Sequence, residues 1–315
     1  MAAAFPFIRG LCVNAVYPAA VTDAQMLKTV LARMAASRFY AAAEFYHEGP
    51  NAQLADIGRH CANLRLSVVY LAGYYLKRER LDIASPDEAA RKQAVSACVD
   101  MLKRAQLLGA AKMLILSGPS DASRDALSVV ESAVQSVQTL IAEGERLFGS
   151  HFPQITLEFF NPNGEPYLSV GTPDVALAIA SRVDSRHFGI TYDTSHVAQM
   201  GLDITQTMAL LHPFVTHLHL ANSVSRDERH PLYGDKHPLY GDKHPLFDIP
   251  QGDLTTGDIA AFLAYCEEHR LLARVDICSA EVICREAGSE DACFRQVMKQ
   301  LHTIFSKLDS REVTG

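Results

Sequence analysis

The 315-residue sequence has no run of 18 apolar residues, no block of lysines and arginines, and no two cysteines at CxxC spacing. The first absence argues against a membrane-spanning helix, which needs about 20 consecutive apolar residues. The N-terminus has no basic region ahead of an apolar one, so no signal peptide is expected. With 36 acidic against 29 basic residues and a net charge of −7, the missing basic block argues against a protein that follows a phosphate backbone, and no nucleic-acid partner is expected. Seven cysteines, Cys12, Cys61, Cys98, Cys266, Cys278, Cys284 and Cys293, form an odd, scattered set without framework spacing. They are expected to be reduced thiols in a cytoplasmic protein.

What is there is an ordinary globular composition, 48% hydrophobic and 21% charged, in a chain long enough for two ordinary domains or one large α/β barrel. Strand-like runs are expected at 7–13, 39–44, 66–71, 112–117, 154–160, 186–193, 214–220 and 273–281. Helical patterns fall between them, at 22–36, 51–63, 85–108, 123–147, 204–211, 254–270 and 289–308, with one more opened by Thr172 and Pro173. Thr22 and Ser85 are candidate N-caps, Ser85 being followed by Pro86 and two acids, and Gly109 should stop the helix before it. Residues 72–84 read as irregular. Eight strand–helix pairs without a break in composition predict a single (β/α)8 TIM barrel over residues 1–315.

Such a barrel collects its chemistry at the C-terminal ends of the strands. Those ends supply Glu44, Glu158, Asp193 with His196, His219 with His217 two residues before it, and Glu281. Any one of these acids alone is readily a helix cap or a solvated loop residue. Acids or histidines at each of the last four strand ends make a joint case, because three carboxylates and an imidazole brought together repel one another without a cation. Oxygen donors with one imidazole suit Mn²⁺, Mg²⁺ or Co²⁺ better than a thiolate-type zinc site, with Zn²⁺ left open. The chosen set is Glu158, Asp193, His219 and Glu281. Strand alternation puts His217 and His219 on one face, so the residues alone leave open which of the two is the ligand.

The DxxH of Asp193 and His196, the HxH of His217 and His219, the strand-end Glu158, and a late Asp242 and His244 followed by Gly252, Asp253 and Leu254 resemble the xylose isomerase-like TIM barrels. These are the sugar epimerases and isomerases that share a fold with endonuclease IV, and the resemblance spans nearly the whole chain. Its ketose 3-epimerase branch implies one divalent cation held by Glu158, Asp193, His219 and Glu281, which selects the second histidine of the pair. It also implies that Glu158 and Glu281 are the acid/base pair, and that His196, Arg226 and Glu165 bind substrate. The implied reaction is isomerisation or epimerisation of a small sugar, keto-sugar or related polyol acid through a metal-stabilised enediolate. A lyase on the same scaffold, a dehydratase or decarboxylase, would need the same four ligands, and a non-catalytic binding subunit is the third reading.

The sequence departs from its relatives in two places. The third and fourth strand ends carry no histidine, so a three-metal phosphodiesterase is not expected. The loop at 221–252 carries the heptapeptide HPLYGDK twice, at 230–236 and 237–243, with a third HPL beginning at His244. A slipped duplication that lengthened a surface loop is the favoured account. A lid over the site or a homo-oligomer contact is the functional alternative. Asp242 and His244 also echo the DxH ligand pair of the endonuclease, which leaves a second metal open there.

Overall fold

Short aliphatic and β-branched runs become parallel strands when both of their faces are covered, and that is how this chain folds. The computed structural model describes residues 5–118, 124–161, 168–233, 243–283 and 288–309. The strands are β1 (Ile8–Cys12), β2 (Ala42–Phe45), β3 (Ser67–Leu71), β4 (Lys112–Leu116), β5 (Gln154–Glu158), β6 (Phe188–Asp193), β7 (Val215–Leu220) and β8 (Ile277–Ala280). Each pairs in parallel with its sequence neighbour, and β8 returns to β1, closing an eight-stranded barrel. All eight expected strands form. The last begins at Ile277 rather than 273, because turns occupy 269–274 and Arg270 takes a left-handed conformation at φ 56°.

Helices occupy the connections: α1 (Val13–Val16), α2 (Ala24–Ser37), α3 (Asn51–Leu64), α4 (Gly73–Arg78), α5 (Glu88–Leu107), α6 (Ala126–Phe148), α7 (Pro173–Val183), α8 (Thr194–Gln199), α9 (Ile204–Leu211), α10 (Thr256–Glu268) and α11 (Glu290–Asp309). Their starts follow side-chain capping chemistry. Asp23, not Thr22, caps α2 by accepting from the backbone N–H groups of Gln25 and Met26. Asp87, not Ser85, caps α5, because its carboxylate reaches the Ala90 N–H while Ser85 accepts from Asp87 instead. Thr172 caps α7 with Pro173 in its first turn, as expected, and Thr255 and Asp258 form a reciprocal capping box on α10. Residues 72–84 are not wholly irregular, since α4 lies within them.

The core lines both faces of the sheet, and every residue of β4, β6 and β7 is buried. Tyr192 of β6 stacks on Phe262 of α10 with ring centroids 6.1 Å apart, which seats that helix on the barrel. At the N-terminal end of the barrel the buried Lys112 donates to the Thr216 carbonyl and pairs with Asp276, tying β4 to β7 and to the approach to β8. Gly58 lets α3 meet the end of α5, since a Cβ there would lie 2.7 Å from the Leu108 carbonyl oxygen.

Asn222 gathers the ends of the long connection between β7 and α10. Its Oδ1 accepts from the Ser223 and Leu254 N–H groups, and its Nδ2 donates to the Leu246 carbonyl. Cys12, Cys61, Cys98, Cys266 and Cys278 are free and buried. Cys293 is disulfide-bonded, which corrects the expectation of reduced thiols throughout; scattered spacing carried no signal for a pairing. Among the described residues no helix is long and apolar enough to cross a membrane.

Candidate functional site

Each candidate side chain sits where a strand hands over to the next segment. Glu158 ends β5, Asp193 ends β6, His219 is the last residue but one of β7, and Glu281 directly follows β8. Strand register sets Asp193 beside His219. The closing barrel then brings donor atoms of Glu158, Asp193, His219 and Glu281 within 4.8 Å of one another. His219 Nδ1 is the hub, 3.0 Å from Glu281 Oε2, 3.3 Å from Glu158 Oε1 and 3.7 Å from Asp193 Oδ2.

Asp193 serves two structures at once. As the N-cap of α8 it accepts, through Oδ1, from both the N–H and the hydroxyl of Ser195 at 2.6 Å. Its other oxygen, Oδ2, is buried without a hydrogen-bond partner and faces the cluster. Ser195 Oγ, whose proton goes to Asp193, lies 3.1 Å from His244 Nδ1 and can accept from it.

The electrostatics of the cluster follow from its burial. Burial pushes the Glu158 carboxyl up to about 8, His219 opposes the shift, and Glu281 and Asp193 add to it. Burial also raises Asp193. Burial acts to raise Glu281 too, but His244 and His219 outweigh it and hold that carboxyl below its ordinary range. For His219, burial acts to lower the imidazole, while Cys12, Glu44 and Glu158 around it hold it well above the usual value. Carboxylates forced towards their neutral forms around an unpartnered buried oxygen make a donor set that a cation would satisfy. Three oxygens and one imidazole nitrogen fit a small divalent ion.

His196 reaches the same place from the first turn of α8. Its side chain is buried, Nε2 lies 3.7 Å from Glu158 Oε1, and the ring rests on Phe160 at 4.0 Å between centroids. Neither ring nitrogen has a hydrogen-bond partner, and burial, with His244 next, holds the imidazole well below its usual range and so neutral. His244 comes in from the long loop, and donor atoms of Asp193, His196 and His244 lie within 4.8 Å of one another, as do those of Glu44, His217 and His219 and of Cys12, His219 and Glu281. Asp242 and Glu165 lie outside the described residues. Arg226 is not gathered with the others: its side chain is 80% exposed, with Nε 3.6 Å from Asp253.

Glu44, a strand-end acid left out of the chosen set, lies on the opposite edge of the His219 ring. Its Oε2 is 3.0 Å from His219 Nε2, and its Oε1 is 2.9 Å from His217 Nε2, the latter out of line for a hydrogen bond. The Cys12 thiol adds a longer contact of 3.7 Å to Oε2. Burial would raise the Glu44 carboxyl, but His217 and His219 reverse this and hold it well below the ordinary range. The HxH spacing therefore does place both imidazoles on one face, with His217 against Glu44 and only His219 in the four-residue cluster. A position at the end of β2 was the one signal in the sequence for Glu44. A cavity of about 280 Å³ is lined by residues that follow strand ends, Asn14 after β1, Tyr74 after β3, and Ile283, Ser289 and Glu290 after β8, and by none of the cluster's four side chains.

Comparison with solved structures finds this architecture repeatedly. A D-tagatose 3-epimerase-like protein superposes with a TM-score of 0.68 at 18% identity, covering 96% of this chain and 100% of that one. A protein described as IolI with a binding zinc atom gives 0.70 at 16% identity, covering 96% and 99%. D-Psicose 3-epimerase with D-tagatose, from Clostridium cellulolyticum H10, gives 0.58 at 17% identity, covering 88% and 85%. No protein of curated function matches at the level of sequence. The family model described as xylose isomerase-like TIM barrel matches residues 33–249, more than half of the chain. With a closed (β/α)8 barrel whose strand ends carry the DxxH and HxH residues, the chain belongs to the xylose isomerase-like TIM barrel family.

Proposed function

We propose that the protein is a divalent-metal-dependent isomerase or epimerase of a small sugar or keto-sugar, working by proton transfer at a carbon next to a carbonyl. The observation that carries this reading is the convergence of Glu158, Asp193, His219 and Glu281, with Asp193 Oδ2 buried and unpartnered among them. These four residues would hold the ion. When bound, a divalent cation would polarise a substrate carbonyl and neighbouring hydroxyl and so make the adjacent C–H more acidic. Similarity to 3-epimerases of ketoses and to a zinc-binding relative supports the substrate class and the need for a metal.

The rest is work for the chain's own side chains. Glu158 and Glu281 both approach His219 Nδ1 within 3.3 Å, so two carboxylates border one small volume. One removes the proton from carbon and the other returns a proton, which inverts a centre when the two act from opposite faces. His196, neutral and with both ring nitrogens unpartnered, is suited to orient a substrate hydroxyl. Phe160 fixes the plane of its ring.

Incubation of the Mn²⁺-loaded protein with ketohexoses in D2O tests the reading. Deuterium should enter the substrate at the carbon beside the carbonyl, with no change of mass other than the isotope, and Glu158→Gln should abolish the exchange. Loss of water or CO2 would instead establish a lyase. Failure to bind Mn²⁺, Mg²⁺, Co²⁺ or Zn²⁺ would refute the metal-dependent reading.

A further inference from the structure

We infer that Glu44 is a positioning residue that fixes the tautomer and direction of His219. It holds the Nε2–H so that the Nδ1 lone pair faces the three carboxylates. The inference rests on the reading of that cluster as a cation site, and it assigns a role to a residue outside the four ligands.

A neutral imidazole has one N–H and one lone pair, on nitrogens that point to opposite edges of the ring. On one edge of His219, Nε2 lies 3.0 Å from Glu44 Oε2 with hydrogen-bond geometry. On the other, Nδ1 faces Glu281, Glu158 and Asp193 at 3.0 to 3.7 Å. With a cation among the carboxylates and the single proton on Nε2, every contact is matched: Glu44 accepts, and Nδ1 has a lone pair to give the ion. With the proton on Nδ1, the Nε2 lone pair would confront a buried carboxylate, and no donor atom would face an ion. A buried carboxylate, which only accepts, penalises that second tautomer.

Glu44 is itself braced for this role. Its side chain is fully buried at the end of β2, in register with Cys12 of β1. His217 crowds Oε1 at 2.9 Å and the Cys12 thiol points at Oε2, so the carboxylate is confined from both sides. His217 thus has a place in the site without belonging to the four-residue cluster. It packs against the group that holds His219.

The experiment uses ¹⁵N-histidine-labelled full-length protein, with Zn²⁺ as a diamagnetic probe and calorimetry for affinity. In the Zn²⁺-saturated parent, His219 should show a protonated Nε2 and a metal-shifted Nδ1. A proton on Nδ1, or zinc bound at Nε2, overturns the inference. Glu44→Gln keeps the shape but removes the charge. It should weaken Zn²⁺ binding by about 10- to 100-fold, the usual cost of losing a partner behind a metal-binding histidine, and mix the two tautomers. Unchanged affinity and an unchanged His219 spectrum in a folded Glu44→Gln protein overturn the role of Glu44 alone. Absence of Zn²⁺ binding in the parent overturns the metal reading and this inference with it. If Glu44→Gln does not fold, the tautomer measured in the parent decides the matter.

Discussion

Cation binding should be strongly linked to pH, in a direction set by the protons that the cluster holds when stripped by a chelator. The Glu158 carboxyl is pushed up to about 8 from an ordinary value of 4.5, chiefly by burial. Below about 8 it is protonated, and a cation must displace that proton to use both of its oxygens as donors. One displaced proton changes the apparent affinity about tenfold per pH unit, or roughly 1.4 kcal/mol. From about pH 6 to about pH 8 the Kd for Mn²⁺ should therefore tighten by about 50-fold through this proton alone, roughly 2.3 kcal/mol, and level off above about pH 9. His219, held protonated well above its usual range despite burial, steepens the dependence in the same direction, whereas Glu281, already held low, adds little. Calorimetric titration at several pH values, in pairs of buffers with different heats of ionisation, measures both the Kd and the protons released. A Kd that does not change with pH, or binding without proton release near pH 6, would refute the argument.

Two further outcomes separate structural from chemical roles. Thr255→Ala removes the hydroxyl half of the capping box on α10 and should cost about 1 kcal/mol, lowering the Tm by a few degrees in a thermal melt while leaving Mn²⁺ affinity unchanged. His196→Ala should raise KM or abolish turnover yet keep Mn²⁺ binding at the four-residue cluster; loss of that binding would make His196 a ligand of the same ion rather than a substrate contact.

The barrel was legible because periodicity and helix signals agreed along the chain, and because strand ends are where such a barrel keeps its chemistry. The cluster was legible for the same reason: each of its members lies at or next to the C-terminal end of a strand. Exact helix starts were harder, since Ser85 and Asp87 are both capable caps and only the reach of the Asp87 carboxylate to Ala90 decides between them. The short helices α4 and α8 were missed because six residues carry too little periodicity to register. Arg226 followed from similarity to relatives, but its placement depends on the loop where this chain differs most from them, and there the arginine faces solvent. Glu44 needed three dimensions. Its meaning lies in contacts 173 and 175 positions away along the chain, with His217 and His219, and no local pattern encodes such a pairing.

The dual employment of Asp193 has a consequence for ion size. One of its oxygens is committed to the first turn of α8, so it can offer only the other without unwinding the start of that helix. Calcium takes six to eight oxygens and favours carboxylates that bind through both, whereas smaller ions accept fewer donors at shorter range. On the proposed reading of the cluster as a cation site, the helix cap would act as a gauge, rationing the oxygens within reach and favouring compact cations over calcium through the backbone itself.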